Sequence, residues 1–240
     1  MYALITGASR GIGKACALSF AQAGYNLILV CKSNIDNLID YAKTLEGLGV
    51  TCYCYKCNVG DPNDVDALFC ELDKKHVHID VLINNAGISY VGLLQDMSFE
   101  DWNNTINTNL SSVFYMSRKC IPAMVSEQKG KIINIASVWG SMGASMEVAY
   151  SASKGGVISF TKALAKELAP SNIQVNSISF GAIDTEMNGH LSNEELEELA
   201  NEIPASRLGK VSEAGKMILD VAKLGDYVTG SNITMDGAWC

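Results

Sequence analysis

Short, almost wholly apolar runs alternate along this chain with longer segments whose apolar residues recur every three to four positions. The runs fall at 2–6, 26–31, 50–57, 81–84, 131–136, 174–179 and 232–235. A strand with one wet face alternates apolar and polar residues, whereas a strand covered on both faces reads as continuously apolar. Helix-period segments at 11–23, 35–48, 62–75, 99–127 and 148–169 separate the first six runs. Strand–helix alternation with right-handed crossovers predicts an α/β fold, one doubly wound parallel sheet with helices on both faces. Ser98-Phe99-Glu100-Asp101 and Ser192-Asn193-Glu194-Glu195 have the form of helix-starting capping boxes, the first loosely because Asp stands for Glu. Pro170 is expected to end the helix that begins at Val148. Residues 184–208 break the alternation; they read as helical, polar and inserted, a candidate substrate lid.

Composition narrows the picture. A chain of 240 residues with 48% hydrophobic and 18% charged positions suits one large domain with a substantial core. The net charge of −8 repels phosphate backbones and argues against nucleic acid as a partner. No run reaches the roughly 18 apolar residues of a membrane span. Met1-Tyr2 leads directly into the first strand with no basic leader, so a cytoplasmic location is expected. The eight cysteines are then expected to be reduced. Cys52 and Cys54 share one face of a strand while Cys57 points to the other, and no second pair or nearby His completes a zinc site. They read as core filler, with no metal.

The first strand runs into Thr6-Gly7-Ala8-Ser9-Arg10-Gly11-Ile12-Gly13, which opens the first helix. The glycines permit a tight turn, and the helix N-terminus offers unpaired N–H groups to a pyrophosphate. A strand, a glycine turn and a helix in that order predict a dinucleotide-binding, Rossmann-type fold. Such folds place an acid at the end of the second strand when NAD is preferred. Here that stretch is Leu29-Val30-Cys31-Lys32-Ser33-Asn34, without an acid. Lys32 and Arg10 are instead candidates to pair with a 2′-phosphate, which predicts NADP(H) over NAD(H).

Tyr150-Ser151-Ala152-Ser153-Lys154 puts a phenol and an ammonium at i and i+4 of a helix, on one face. A neighbouring cation favours phenolate and is expected to lower the tyrosine pKa toward useful acid–base strength. Ser137 ends the run 132–136, and Asn84-Asn85-Ala86-Gly87 ends the fourth; ligands bind at such carboxyl ends in open parallel sheets.

Thr6-Gly7-(x)3-Gly11-x-Gly13, Asn84-Asn85-Ala86-Gly87, Ser137 and Tyr150-x-x-x-Lys154 stand in order and at family-like intervals. With them the chain resembles the short-chain dehydrogenase/reductase family over essentially its whole length. The resemblance implies that Ser137 polarises a ketone carbonyl and Tyr150 is its proton donor. It implies that Lys154 lowers the tyrosine pKa and holds the nicotinamide ribose, and that Asn109 supports a proton-relay water. It assigns Asn58 and Val59 to the adenine, Asn85, Ala86 and Gly87 to the cofactor cleft, and Ile183 and Thr185 to the nicotinamide amide. One departure is Phe180-Gly181, where the family usually has Pro-Gly. Gly181 keeps the turn, but loss of the fixed proline φ is expected to loosen or reshape the nicotinamide side of the pocket.

Within the family, the stretches 109–114, 207–209 and 227–230 resemble 3-oxoacyl-acyl-carrier-protein reductases. That resemblance implies acyl carrier protein as partner and a role in fatty acid biosynthesis. Carrier docking there relies on basic residues near the entrance. Pro170-Ser171-Asn172 lacks one, and Lys129 and Lys131 are the alternative source of charge. Glu194, Glu195, Glu197, Glu198 and Glu202 make the candidate lid acidic, which opposes an acidic carrier. Residues 181–188 and Gly237-Ala238-Trp239 resemble a subgroup that reduces a 5-aminopentanone group on elongation factor P. A small or steroidal ketone is a third substrate class. A non-enzymatic dinucleotide-binding regulator is disfavoured by the four matched roles. The family also implies a homotetramer through 99–127 and 148–169. Val157, Ile158, Phe160 and Leu164 could face either that interface or the core.

Overall fold

The computed structural model describes residues 1–189 and 191–240. Seven parallel strands lie in the order β3-β2-β1-β4-β5-β6-β7: β1 Tyr2–Thr6, β2 Asn26–Cys31, β3 Cys52–Lys56, β4 Val81–Asn84, β5 Gly130–Ser137, β6 Ile173–Phe180 and β7 Asn232–Met235. The doubly wound sheet expected from the apolar runs is therefore present. Its five inner strands are buried on both faces because successive side chains feed different helical layers. Ala3, Ile5, Leu27 and Leu29 join one core cluster with helix α1 (Gly11–Gln22), helix α2 (Ile35–Glu46) and a later helix. Leu4, Ile28 and Val30 join the other, with helix α3 (Pro62–Lys74) and two long helices. The cysteines follow the same alternation. Cys52 and Cys54 pack on the first cluster, whereas Cys57 belongs to the second. All eight cysteines are free, and among the described residues no cluster of His, Cys, Asp or Glu is placed to hold a metal. Among the same residues, no helix is long and apolar enough to cross a membrane.

The helix expected over 99–127 is three pieces: α4 (Phe99–Ile106), a wider π-turn at Asn107–Ser111, and α5 (Ser112–Glu127). Periodicity reads the whole stretch as helix because one wide turn shifts the apolar phase only slightly. Helix α6 (Trp139–Met142) follows β5, and α7 (Val148–Leu168) carries Tyr150 and Lys154. The chain tightens into a 3₁₀ turn at Ala169–Ser171, where Pro170 was expected to end the helix.

The candidate lid is helical only in part. A 3₁₀ turn at Glu186–Asn188 is capped by Thr185, and helix α8 (Asn193–Glu202) is closed by the expected Ser192–Glu195 capping box. The later helix of the first layer is α9 (Val211–Ala222), which the strand–helix reading did not include. Its buried Ala214, Ile218, Val221 and Ala222 recur at helical spacing, so the signal was there to be counted. Gly215 brings it against α1, where a Cβ would stand 2.6 Å from the Ala15 backbone.

Val157, Ile158 and Leu164 are buried within the chain and Phe160 is half-buried. These α7 residues are thus mainly intramolecular core. The exposed apolar side chains of the same helices are Phe99 (91% accessible), Trp102, Phe114 and Val148.

Candidate active site

The sheet reverses direction of growth between β1 and β4, so the loops leaving their carboxyl ends diverge and open a crevice. Thr6 closes its floor. Its hydroxyl accepts the N–H groups of Asn85 (2.9 Å) and Ala86 (3.0 Å), while the Asn85 amide donates to the Thr6 (2.9 Å) and Gly7 (3.3 Å) carbonyls. Gly7 has φ +66°, and a Cβ there would meet the Ala86 backbone at 2.9 Å. A Cβ on Gly13 would stand 2.2 Å from the Gly7 carbonyl oxygen. No side chain caps α1, and its first turn carries no acid. Free helix amides beneath a glycine turn suit a pyrophosphate, so the residues fit the dinucleotide that the motif implies.

The remaining cofactor candidates lie around this crevice. Ser9, Arg10, Gly11 and Ile12 form the turn and the start of α1. Arg10 and Lys32 are exposed at the ends of adjacent loops, and neither makes an ion pair among the described residues. Asn58 follows β3, its N–H donating to Asp64 (2.9 Å), and Val59 beside it is buried. Thr185 stands against the turn, since a Cβ on Gly11 would meet its methyl group at 3.4 Å. Ile183 is buried and bridges Gly209. Gly181 is held by closeness, not by φ: a Cβ would lie 2.7 Å from that of Asp236. Phe180 does not loosen this side. It is 4% exposed, ends β6 between β5 and β7, and its carbonyl accepts Val138 N–H (3.1 Å).

Ser137, Tyr150, Lys154 and Asn109 converge from three elements. Ser137 ends β5 with its hydroxyl beside the Tyr150 phenol of α7, close enough to lower the phenol's pKa. One turn on, the Lys154 ammonium lies 5.6 Å from the Tyr150 ring centre and donates to the Ile135 carbonyl (2.7 Å). Asn109 sits in the π-turn, with its amide paired to both the N–H and the carbonyl of Ile88 (2.8 Å each). It also donates to the Ser153 hydroxyl (3.1 Å), which donates to the Tyr150 carbonyl (2.7 Å). A Cβ on Gly87 would lie 3.5 Å from both the Asn109 amide oxygen and the Lys154 ammonium. The Asn85–Gly87 loop therefore passes directly over this cluster.

The electrostatics reverse one expectation. Burial pushes the Tyr150 phenol up to about 12, partly opposed by the neighbouring Ser137 hydroxyl and reinforced by Glu147. Burial also pulls Lys154 down to about 8. Spacing had suggested a tyrosine acidified by its lysine. Instead, both groups lose the water that would stabilise their charged forms, and burial is the largest cause of each shift.

Three site residues escaped the sequence reading: Ser153, Ser89 and Glu147. Ser89 donates its hydroxyl to the half-buried Glu147 carboxylate, joining the loop after β4 to the start of α7. Each lies within a few residues of a recognised motif, but only the folded chain brings them into contact. Lys129 and Lys131 do not supply charge beside Tyr150 within one chain. Lys131 lies six residues from Ser137 along β5, about 20 Å away, and its ammonium is engaged by the Leu224 carbonyl (2.5 Å) and Asp226 (3.7 Å).

Residues 1–196 match the short chain dehydrogenase family model. The chain belongs to that family. It is 42% identical over 237 residues to the 3-oxoacyl-[acyl-carrier-protein] reductase FabG of Thermotoga maritima, covering 98% of this chain and 95% of the relative. It is 36% identical over 239 residues to the oxidoreductase YmfI of Bacillus subtilis, covering 99% and 98%. A short-chain dehydrogenase/reductase structure from Mycobacterium marinum superposes with TM-score 0.93 at 35% identity, over 99% of this chain and 94% of that one. The chain is thus a Rossmann-type oxidoreductase of the short-chain dehydrogenase family, related throughout its length to ketone reductases.

Proposed function

We propose that this protein reduces a ketone to a secondary alcohol with NADPH, and that its substrate is a 3-oxoacyl thioester on acyl carrier protein. The observation that carries the chemistry is the Ser137 hydroxyl beside the Tyr150 phenol, with the Lys154 ammonium 5.6 Å from the centre of the same ring. The bound nicotinamide would supply a hydride to the carbonyl carbon. Ser137 and Tyr150 direct their hydroxyl hydrogens toward the place a ketone oxygen takes. Tyr150, held neutral by burial, then donates its proton to that oxygen. Lys154 holds the ribose side and carries charge below pH about 8. Asn109 fixes the Ile88 loop and, through Ser153, the backbone at Tyr150. Arg10 and Lys32, which make no ion pair among the described residues, are exposed on the loops after β1 and β2, and a cation there supports NADPH over NADH.

The acyl-carrier reading is supported by the relatives that carry that name. A second reading is favoured by the acidic side chains: Glu147 stands beside Tyr150, and the exposed face of α8 carries Glu194, Glu197, Glu198 and Glu202. An anionic rim suits a ketone bearing an ammonium, as in the 5-aminopentanone group of modified elongation factor P. Purified protein assayed with acetoacetyl thioester and with that modified protein separates the two. The first reading expects NADPH oxidation with the thioester, faster than with NADH. No turnover of the thioester beside turnover of the aminoketone would replace it with the second.

We also propose a homotetramer assembled through α4, α5 and α7, supported by the exposed Phe99, Trp102, Phe114 and Val148. Light scattering at micromolar concentration is expected to give four times the chain mass; a monomer would refute it.

A further inference from the structure

Helix α8 buries none of its residues, so its own packing does little to hold it in place. Its carboxyl end is anchored differently. Ile203, directly after α8, is 2% exposed. Gly237, in the segment after β7, has φ +70°, and a Cβ on it would stand 2.8 Å from Ile203 and 3.0 Å from the Ala205 methyl carbon. Its carbonyl accepts the Ala205 N–H (3.2 Å).

The same short segment reaches two other parts of the site. Asp236 folds it into a compact loop by accepting the N–H groups of Ala238 (3.0 Å) and Cys240 (2.9 Å), and it abuts Gly181. Trp239 then lies edge-on to Trp139, with ring centres 4.9 Å apart and planes at 62°. Trp139 opens α6, and its N–H donates to the Ser137 hydroxyl (3.2 Å). One loop of five residues thus touches the end of the α8 segment, the turn after β6 and the residue that hydrogen-bonds Ser137.

We propose that the segment 236–239 seats α8 over the ketone site, and that the Trp139–Trp239 pair determines which ketones fit beside Ser137. This rests on the reading of the protein as a ketone reductase. An edge-to-face pair is directional, so each ring holds the other at a fixed angle. Loss of one ring frees the other and slackens the Gly237 contact that holds Ile203. The catalytic hydroxyls and the glycine turn are untouched, so the effect falls on the substrate and not on the dinucleotide. Trp139 and Trp239 are specificity and positioning residues in this scheme.

The test compares wild type with Trp239→Ala, Trp239→Phe, Trp139→Ala and the double alanine variant. The probes are acetoacetyl-coenzyme A and a small cyclic ketone, with NADPH binding followed by fluorescence. Trp239→Ala is expected to lower kcat/KM for the thioester about tenfold, through KM, while the small ketone changes less than about twofold. NADPH affinity is expected to stay unchanged, Trp239→Phe to recover most of the loss, and the double variant to lose little more than either single one. Equal losses on both ketones with weakened NADPH binding would reduce the pair to a structural role and overturn the proposal, as would unchanged selectivity. If wild-type protein reduced neither ketone, the reductase reading would fail separately. Limited proteolysis then decides the seating: faster cleavage within 193–202 in Trp239→Ala supports it, and an unchanged rate refutes it.

Discussion

Tyr150→Phe is expected to lower kcat/KM for ketone reduction by about 10³-fold, within the range that a positioned general acid contributes. The substitution removes one oxygen and keeps the ring beside Lys154, so the surroundings of the lysine are preserved. Ser137 remains to hydrogen-bond the ketone oxygen but has no proton route through the ring. NADPH affinity is therefore expected to change less than about twofold, because no phosphate-turn residue is altered. Steady-state kinetics and a fluorescence titration check both halves. A rate equal to wild type would remove Tyr150 from the mechanism. Loss of NADPH binding would show that the phenol shapes the cofactor cleft, not the proton transfer.

Lys154→Met is expected to abolish most turnover while making the protein more stable at neutral pH. The lysine is 3% exposed, and burial lowers its pKa from 10.5 to about 8. The unfolded chain therefore holds the proton more tightly than the folded one. Linkage fixes the sign: the destabilisation is present in full below pH 8, shrinks as pH rises, and is gone above about 10.5. It amounts to roughly 3 kcal/mol at most. Removing the ammonium also leaves the Ile135 carbonyl without that partner, which returns about 1 kcal/mol. A net gain of about 2 kcal/mol at pH 7, falling to zero near pH 10 and reversing to a loss of about 1 kcal/mol at higher pH, is the expected outcome of denaturant titrations. Activity is expected to drop at least about 10²-fold, from loss of the charge proposed to hold the ribose beside the phenol. In wild type, the same titration predicts that reduction weakens above pH about 8 as Lys154 discharges. Tyr150, pushed to about 12, stays protonated throughout that range. A Lys154→Met protein less stable than wild type at pH 7 would contradict the burial penalty.

Both predictions set stability against function at one helical turn. A water-stripped ammonium is unfavourable for folding, yet a charge held there without water acts more strongly on its neighbours. Much of that turn is legible in the sequence. Tyr150 and Lys154 are four apart, and a helix has no choice but to place them on one face. The glycine turn at 7–13 and the strand ends at Asn84 and Ser137 are equally local, since each needs only a strand, a turn type and a helix start. The apolar runs of β1, β2, β4 and β7 match the observed strands to the residue; in β1, β2 and β4 burial on both faces keeps the run nearly all apolar.

Other features depend on residues far apart in the chain. The π-turn that carries Asn109 leaves the apolar phase of 99–127 almost unchanged, so periodicity reads straight through it. Helix α9 is amphipathic in sequence, but Gly215 has meaning only against the backbone of Ala15 and Cys16. Phe180 looks like a defect beside the family's proline until β5 and β7 enclose it. Glu147 and Ser89 meet across 58 positions, and Trp139 and Trp239 across the breadth of the fold.

The sequence by itself determined the parallel sheet, the phosphate turn and the pairing of Tyr150 with Lys154, all set by short-range geometry. Only the tertiary structure decided the direction in which each of those two groups titrates. Spacing suggested that the lysine would acidify the tyrosine. Desolvation, which comes from every chain segment packed around them, instead keeps the phenol protonated and discharges the lysine near pH 8.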